Sequence, residues 1–108
     1  MPGIYVRLAD GKPHVRRSAI NLLARIGTTR DAPPIAALLA DSDVTVTYAA
    51  AKALSEIGDR PCLVALDIWL ASESHRDARD LRDHVRRFRR DLEARLDRTA
   101  PPPREVKR

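Results

Sequence analysis

An all-α architecture is written into this chain: a short α-solenoid of about two and a half helical hairpins, followed by one long C-terminal amphipathic helix. Three observations lead there. The chain repeats itself at a spacing of 31 residues. Its apolar residues recur at three- and four-residue steps, which on a helix of 3.6 residues per turn gives one stripe per segment. A content of 44% hydrophobic and 32% charged residues in a chain of 108 suits a single soluble domain with one modest core.

The repeat needs no gap. A shift of 31 pairs Val15 with Val46, Ala19 with Ala50, Leu23 with Leu54, Ile26 with Ile57 and Gly27 with Gly58. The same shift pairs Ala32 with Leu63, Ile35 with Leu66, Leu38 with Trp69, Leu39 with Leu70 and Ala40 with Ala71. A further shift sets Ile4 on Ile35, Leu8 on Leu39 and Asp10 on Asp41, so residues 2–10 read as the second half of an earlier unit, ahead of units 13–41 and 43–72. Each unit predicts two amphipathic helices. Pro13 sits in the first turn of the helix carrying Val15, and Ser42 or Asp43 offers a cap to the helix carrying Val46. Asp31 with Pro33, and Asp59 with Pro61, open the second helices in the same manner. Gly27 and Gly58 follow the first-helix stripes, where a left-handed C-cap is expected.

The last third differs. Leu81, Val85, Phe88 and Leu92, extended by Ala78 and Leu96, mark a single helix over 75–98. Its other faces alternate in sign, with Arg76 and Asp80, Arg79 and Asp83, Asp83 and Arg87, and Asp91 and Arg95 each four apart. The stripe predicts docking on the second helix of the last unit as a cap. Residues 99–108 contain Pro101, Pro102 and Pro103 and read as an extended, disordered basic tail.

The segments VRRSAINLLARIG and VTYAAAKALSEIGDRPCLVALDIWLASES resemble HEAT-like repeats of the phycobilisome-lyase type, an ARM-type fold, over about residues 4–73. The resemblance rests on the Val-Arg, Ala, Leu and Ile-Gly-Asp signature and implies a helical scaffold without specifying an activity. Thr28 after Gly27 and Thr47 after Val46 depart from it, since Asp and Arg are usual there.

Chemistry finds little support. Cys62, the single cysteine, forms no internal disulfide, lacks a histidine close in sequence and reads as an inert, partly exposed thiol. His14, His75 and His84 have no metal-ligand spacing, and no His-Glu dipeptide occurs. Trp69 falls on a core stripe. No catalytic, cofactor or metal residue is expected, so the chain reads as non-enzymatic. The N-terminus lacks a signal-peptide run, and no apolar stretch approaches a membrane span, so a bacterial cytoplasm is the expected address.

What remains is surface. Beside Pro33, the positions Ala36, Ala40, Val64, Asp67 and Ala71 lie opposite the second-helix stripes, on the expected concave face, and are small and mostly apolar. Ile4, Val6 and Leu8 of the leading half unit would form an adhesive edge. Both suit a protein partner or a second copy of the chain, which makes an interaction module or adaptor the leading reading. The alternative is nucleic-acid or other polyanion binding. The net charge is +5, and residues 73–108 hold 12 basic against 8 acidic side chains. Arg79, Arg82, Arg86, Arg87, Arg89 and Arg90 are the candidate stripe, although acidic residues interleave with them.

Overall fold

The computed structural model describes residues 6–27, 29–72 and 78–99, and among them every regular element is helical. After a helical turn at 6–8 come α1 (Pro13–Ile26), α2 (Ala32–Ala37), α3 (Val44–Ile57), α4 (Arg60–Ala71) and α5 (Arg79–Thr99). A 3-10 turn at Thr29–Asp31 leads into α2 and another at Leu38–Ala40 extends it. Among the described residues α5 runs over Arg79–Thr99, and its 21 residues make it about 31 Å long; residues 75–77 of the expected helix lie outside them. The amide of Arg82 reaches back to the Ala78 carbonyl at 2.8 Å. Ile4, His75 and Arg76, with residues 100–108 of the expected tail, lie outside the described residues.

The 31-residue period reappears as matched hydrogen bonds. Asp10 and Asp41 each accept, through Oδ1, the amide two residues on, from Lys12 and Asp43, both at 2.8 Å. Each short-range bond turns the chain into a first helix. Asp43 then caps α3, its carboxylate accepting the Thr45 amide at 2.8 Å and also the Thr45 hydroxyl. Those two bonds hold the Asp43 carboxyl below its ordinary pKa. At the other end, the amides of Gly27 and Gly58 return to Leu23 and Leu54 at 2.7 and 2.8 Å.

The left-handed C-caps expected at these glycines are not formed. Gly27 (φ −84°, ψ −176°) and Gly58 (φ −72°, ψ 169°) are both extended. Close approach, not a positive φ, is what excludes a side chain: a Cβ on Gly58 would meet the Leu54 carbonyl at 2.5 Å and the Cys62 Cβ at 3.1 Å. The second-helix caps also differ from expectation. Neither Asp31 nor Asp59 caps through its side chain; Asp59 accepts the Cys62 thiol at 3.3 Å.

The helices α1, α3 and α5 form a row running in one direction. Arg17, early in α1, bonds Thr45, early in α3; likewise His84 of α5 lies against Tyr48, and Arg95 against Ser55 and Gly58 at the far end. The central helix is buried on several sides, with Val46, Ala50, Ala51, Ala53, Leu54 and Ile57 in the core. Its alanines let neighbours approach closely from different directions. Beneath the row lie α2 and α4; α2 and its 3-10 extension pack more closely on α3 than on α1, and α4 packs on α5.

The α5 stripe is buried as the spacing predicts, with Val85, Phe88 and Leu92 in the core and Leu81 partly covered. Its seat differs from that expected of a cap on the second helix alone, because α5 packs most extensively on α3 and next on α4. It therefore occupies the place beside α3 that α3 occupies beside α1. Each fully buried Leu or Val in this stripe contributes about 1.5–3 kcal/mol.

Candidate functional site

Of the expected adhesive edge, Leu8 is corrected: it is only 6% exposed and belongs to the core. Leu8 packs into the same core cluster as the following helices, so it is spent on packing. Val6 points outward at 72% exposure. Cys62 is also corrected from partly exposed to buried, and that burial pushes its thiol pKa up to about 11.

The second-helix face holds an open groove of about 510 Å³ between α2 and α4. Ala36 and Ala40 line one side with Leu39; Ala65, Ile68 and Trp69 line the other. On the same helix Val64 stands one turn before Ile68, and the two are 58% and 66% exposed. Ala71 is exposed on the same helix. Sequence reasoning placed the small residues here but passed over Ile68. Its signal was present: Ile68 follows Val64 at i+4, off the buried stripe of Leu63, Leu66 and Trp69.

Asp67 has a different role from its neighbours. Its two oxygens accept Arg89 Nε and Nη2 at 2.6 and 3.2 Å, a two-pronged link from α4 to α5. Arg89 also bonds Glu93 at 3.0 Å. Asp67 is the chief cause of the raised Arg89 pKa, with Glu93 assisting.

The other candidate cations divide similarly. Arg86 pairs with Asp83 at 2.9 Å, so Asp83 engages the arginine three residues on in place of Arg79 or Arg87 four away. Arg87 lies over the Phe88 ring at 5.2 Å. Arg79, Arg82 and Arg90 make no ion pair among the described residues. Half of the expected basic stripe is thus occupied within the fold.

A larger open groove, about 840 Å³, lies on the opposite layer, between α1 and α3 and the start of α5. Val44, Tyr48, Ala49, Ala24 and Leu81 supply apolar surface, and Arg17, Arg25, Lys52 and Glu56 surround it. The sequence hinted at it through Val44 and Tyr48, one turn apart and off the main stripe of α3. Among the described residues no group of three or more His, Cys, Asp or Glu side chains is placed to hold a metal ion. No helix among them is long and apolar enough to cross a membrane.

Compared with known proteins, the chain matches a family model described as HEAT repeats over residues 1–83. No curated protein and no solved structure matches it.

Proposed function

From its membership of the HEAT-repeat family, to which this chain belongs, we infer that it is a non-enzymatic interaction module that receives a protein partner in the groove between α2 and α4. One observation carries this reading. Val64 and Ile68 stay in water on adjacent turns of a helix whose Cys62, Leu63, Leu66 and Trp69 are buried, and Ile68 lines a groove walled by alanines. Covering such a patch with a partner removes apolar area from water, the dominant favourable term in association. The groove has no basic side chain among its lining residues, which suits a protein segment better than a phosphate backbone. Within the family, the Ile57-Gly58-Asp59 signature favours the phycobilisome-lyase-type subgroup, and a lone buried thiol accords with a reducing, cytoplasmic setting.

Polyanion binding through α5 receives less support, since Arg86, Arg87 and Arg89 already have partners. A photocrosslinking residue at position 68, expressed in the native host, tests the choice. The expected result is a discrete adduct that disappears when Val64→Asp is added. Absence of any adduct, together with salt-dependent heparin retention lost in Arg86→Ala and Arg90→Ala, would overturn the protein-partner reading in favour of a polyanion.

A further inference from the structure

We propose that the groove bordered by α1, α3 and the start of α5 docks an acidic amphipathic helix of a partner protein. This rests on the chain being an interaction module but uses a second surface; the two grooves share no lining residue.

The floor is apolar and prebuilt. Val44 opens α3 at 59% exposure, and Tyr48, one turn on, is held edge-on by the His84 and Phe88 rings at 5.2 and 5.3 Å. A side wall that is already fixed loses little freedom when a ligand arrives. Three cations and one carboxylate line this groove, and the Asp43 carboxylate lies within electrostatic reach of one of them, Arg17. Arg17 is steadied by the Thr45 hydroxyl at 2.6 Å, Lys52 holds Glu56 at 3.1 Å, and Arg25 is exposed with no ion pair among the described residues. The positive charge therefore lies on the rim, and the base is hydrocarbon. That arrangement complements a helix with a narrow apolar stripe and Asp or Glu on its flanks. A bare phosphate chain would leave the base unfilled.

Length agrees. From Val44 to Glu56 the exposed face of α3 runs for about 18 Å, or a little over three turns, so an incoming helix of ~12 residues fills it. Packing between α1 and α3 lets its side chains enter the trough as ridges enter grooves.

Fluorescence anisotropy with a labelled helical peptide of ~14 residues, Leu on one face and Glu on the flanks, tests the proposal against the same peptide with Lys in place of Glu. The Glu peptide should bind at least about tenfold more tightly than the Lys peptide, and less tightly as salt is raised. Arg25→Glu should weaken it by about tenfold and Val44→Asp by more. Both sites are exposed, and thermal melts followed by circular dichroism establish that each variant is folded. Ile68→Asp should leave binding unchanged. Equal binding of the two peptides, or folded Arg25→Glu and Val44→Asp variants that both bind normally, overturns the proposal. Loss confined to Ile68→Asp also overturns it, while supporting the α2–α4 surface. A single-stranded oligonucleotide that displaces the peptide and depends more strongly on Arg25 would reassign the groove to polyanions and overturn it as well.

Discussion

Arg16 and Thr47 hold the same place in successive repeats, one residue after the matched valines Val15 and Val46, yet they close the stack by different means. Arg16 grips the loop ahead of the next first helix: Nε and Nη2 donate to the Asp41 carboxylate at 2.7 and 2.9 Å, and Nη1 donates to the Asp10 carbonyl at 2.7 Å. Both side chains are nearly covered, at 14% and 7% exposure. Thr47 is fully buried and works locally. Its hydroxyl faces the carbonyls of Leu39 and Asp41 at 3.3 Å and of Asp43 at 3.5 Å. The residue aligned with Asp41 one period later is Ser72, which offers no carboxylate for an arginine to grip. An acid in the following loop and an arginine in the helix are thus one device, and where one is missing the other gives way to a short hydroxyl. The same repeat geometry accepts either solution.

The largest test of that contrast is truncation. Arg16→Ala removes three hydrogen bonds and leaves the Asp41 charge almost buried, so urea unfolding should show a loss of about 3 kcal/mol. Thr47→Val keeps shape and loses only a shared hydroxyl, for about 1 kcal/mol. Equal losses would break the distinction between a charged clasp and a local filler.

The paired glycines sharpen it next. At Gly27 a Cβ would press on the Leu23 carbonyl and lie 2.6 Å from Asp31 Oδ2; at Gly58 it would meet the Leu54 carbonyl and the buried Cys62. A carboxylate can swing aside more cheaply than a packed thiol. Gly58→Ala should therefore cost about 2 kcal/mol and Gly27→Ala measurably less, read from paired denaturation curves.

The starts of the first helices differ by less. Asp43 caps α3, whereas Lys12, at the matching position before α1, makes no side-chain cap bond. Asp43→Ala should cost about 1 kcal/mol, and Lys12→Asp should gain a few tenths or more. If Lys12→Asp destabilises in a thermal melt, α1 and α3 do not begin in equivalent surroundings.

The smallest effect concerns alkaline pH, where Cys62 replaces the Asp31 of the preceding repeat. Burial raises the thiol from 9.0 to about 11, so the folded chain keeps a proton that the unfolded chain releases. The stability linked to this proton is complete below pH 9 and is lost as pH rises through the interval to about 11. By pH ~9.5 the loss is under about 1 kcal/mol. Cys62→Ala should flatten this part of a stability–pH curve; an unchanged slope would place its origin elsewhere.

The helices and most of their buried stripes are legible because burial follows three- and four-residue spacing, and Ala19, Leu23, Ile35, Leu54, Leu66, Val85 and Leu92 all obey it; Ile26, expected on the α1 stripe, is 55% exposed, and Ile20, off that stripe, is buried in its stead. The small-residue wall of Ala36 and Ala40 could be read from the same geometry. Other features depend on how elements meet. Spacing puts Leu8 on an open edge, whereas the fold buries it, because its cover comes from other segments. The bond from Arg89 to Asp67 joins residues 22 apart, and local spacing pointed Asp67 at a partner when it faces α5. The C-cap glycines carried a correct identity with an incorrect reason: close packing against the next helix selects them, not handedness. The outer groove went unread since Val44 and Tyr48 form too short a stripe to stand apart from the core of α3.

The outward side of α5 carries Arg79, Asp83, Arg86 and Arg90, all exposed, while its opposite side is locked onto α3 and α4. Any further copy seeking to lengthen the row would have to strip hydration from alternating guanidinium and carboxylate groups, with no oil-like seam as compensation. At this margin the described residues of α5 therefore present a hydrated edge of alternating charge to any neighbour.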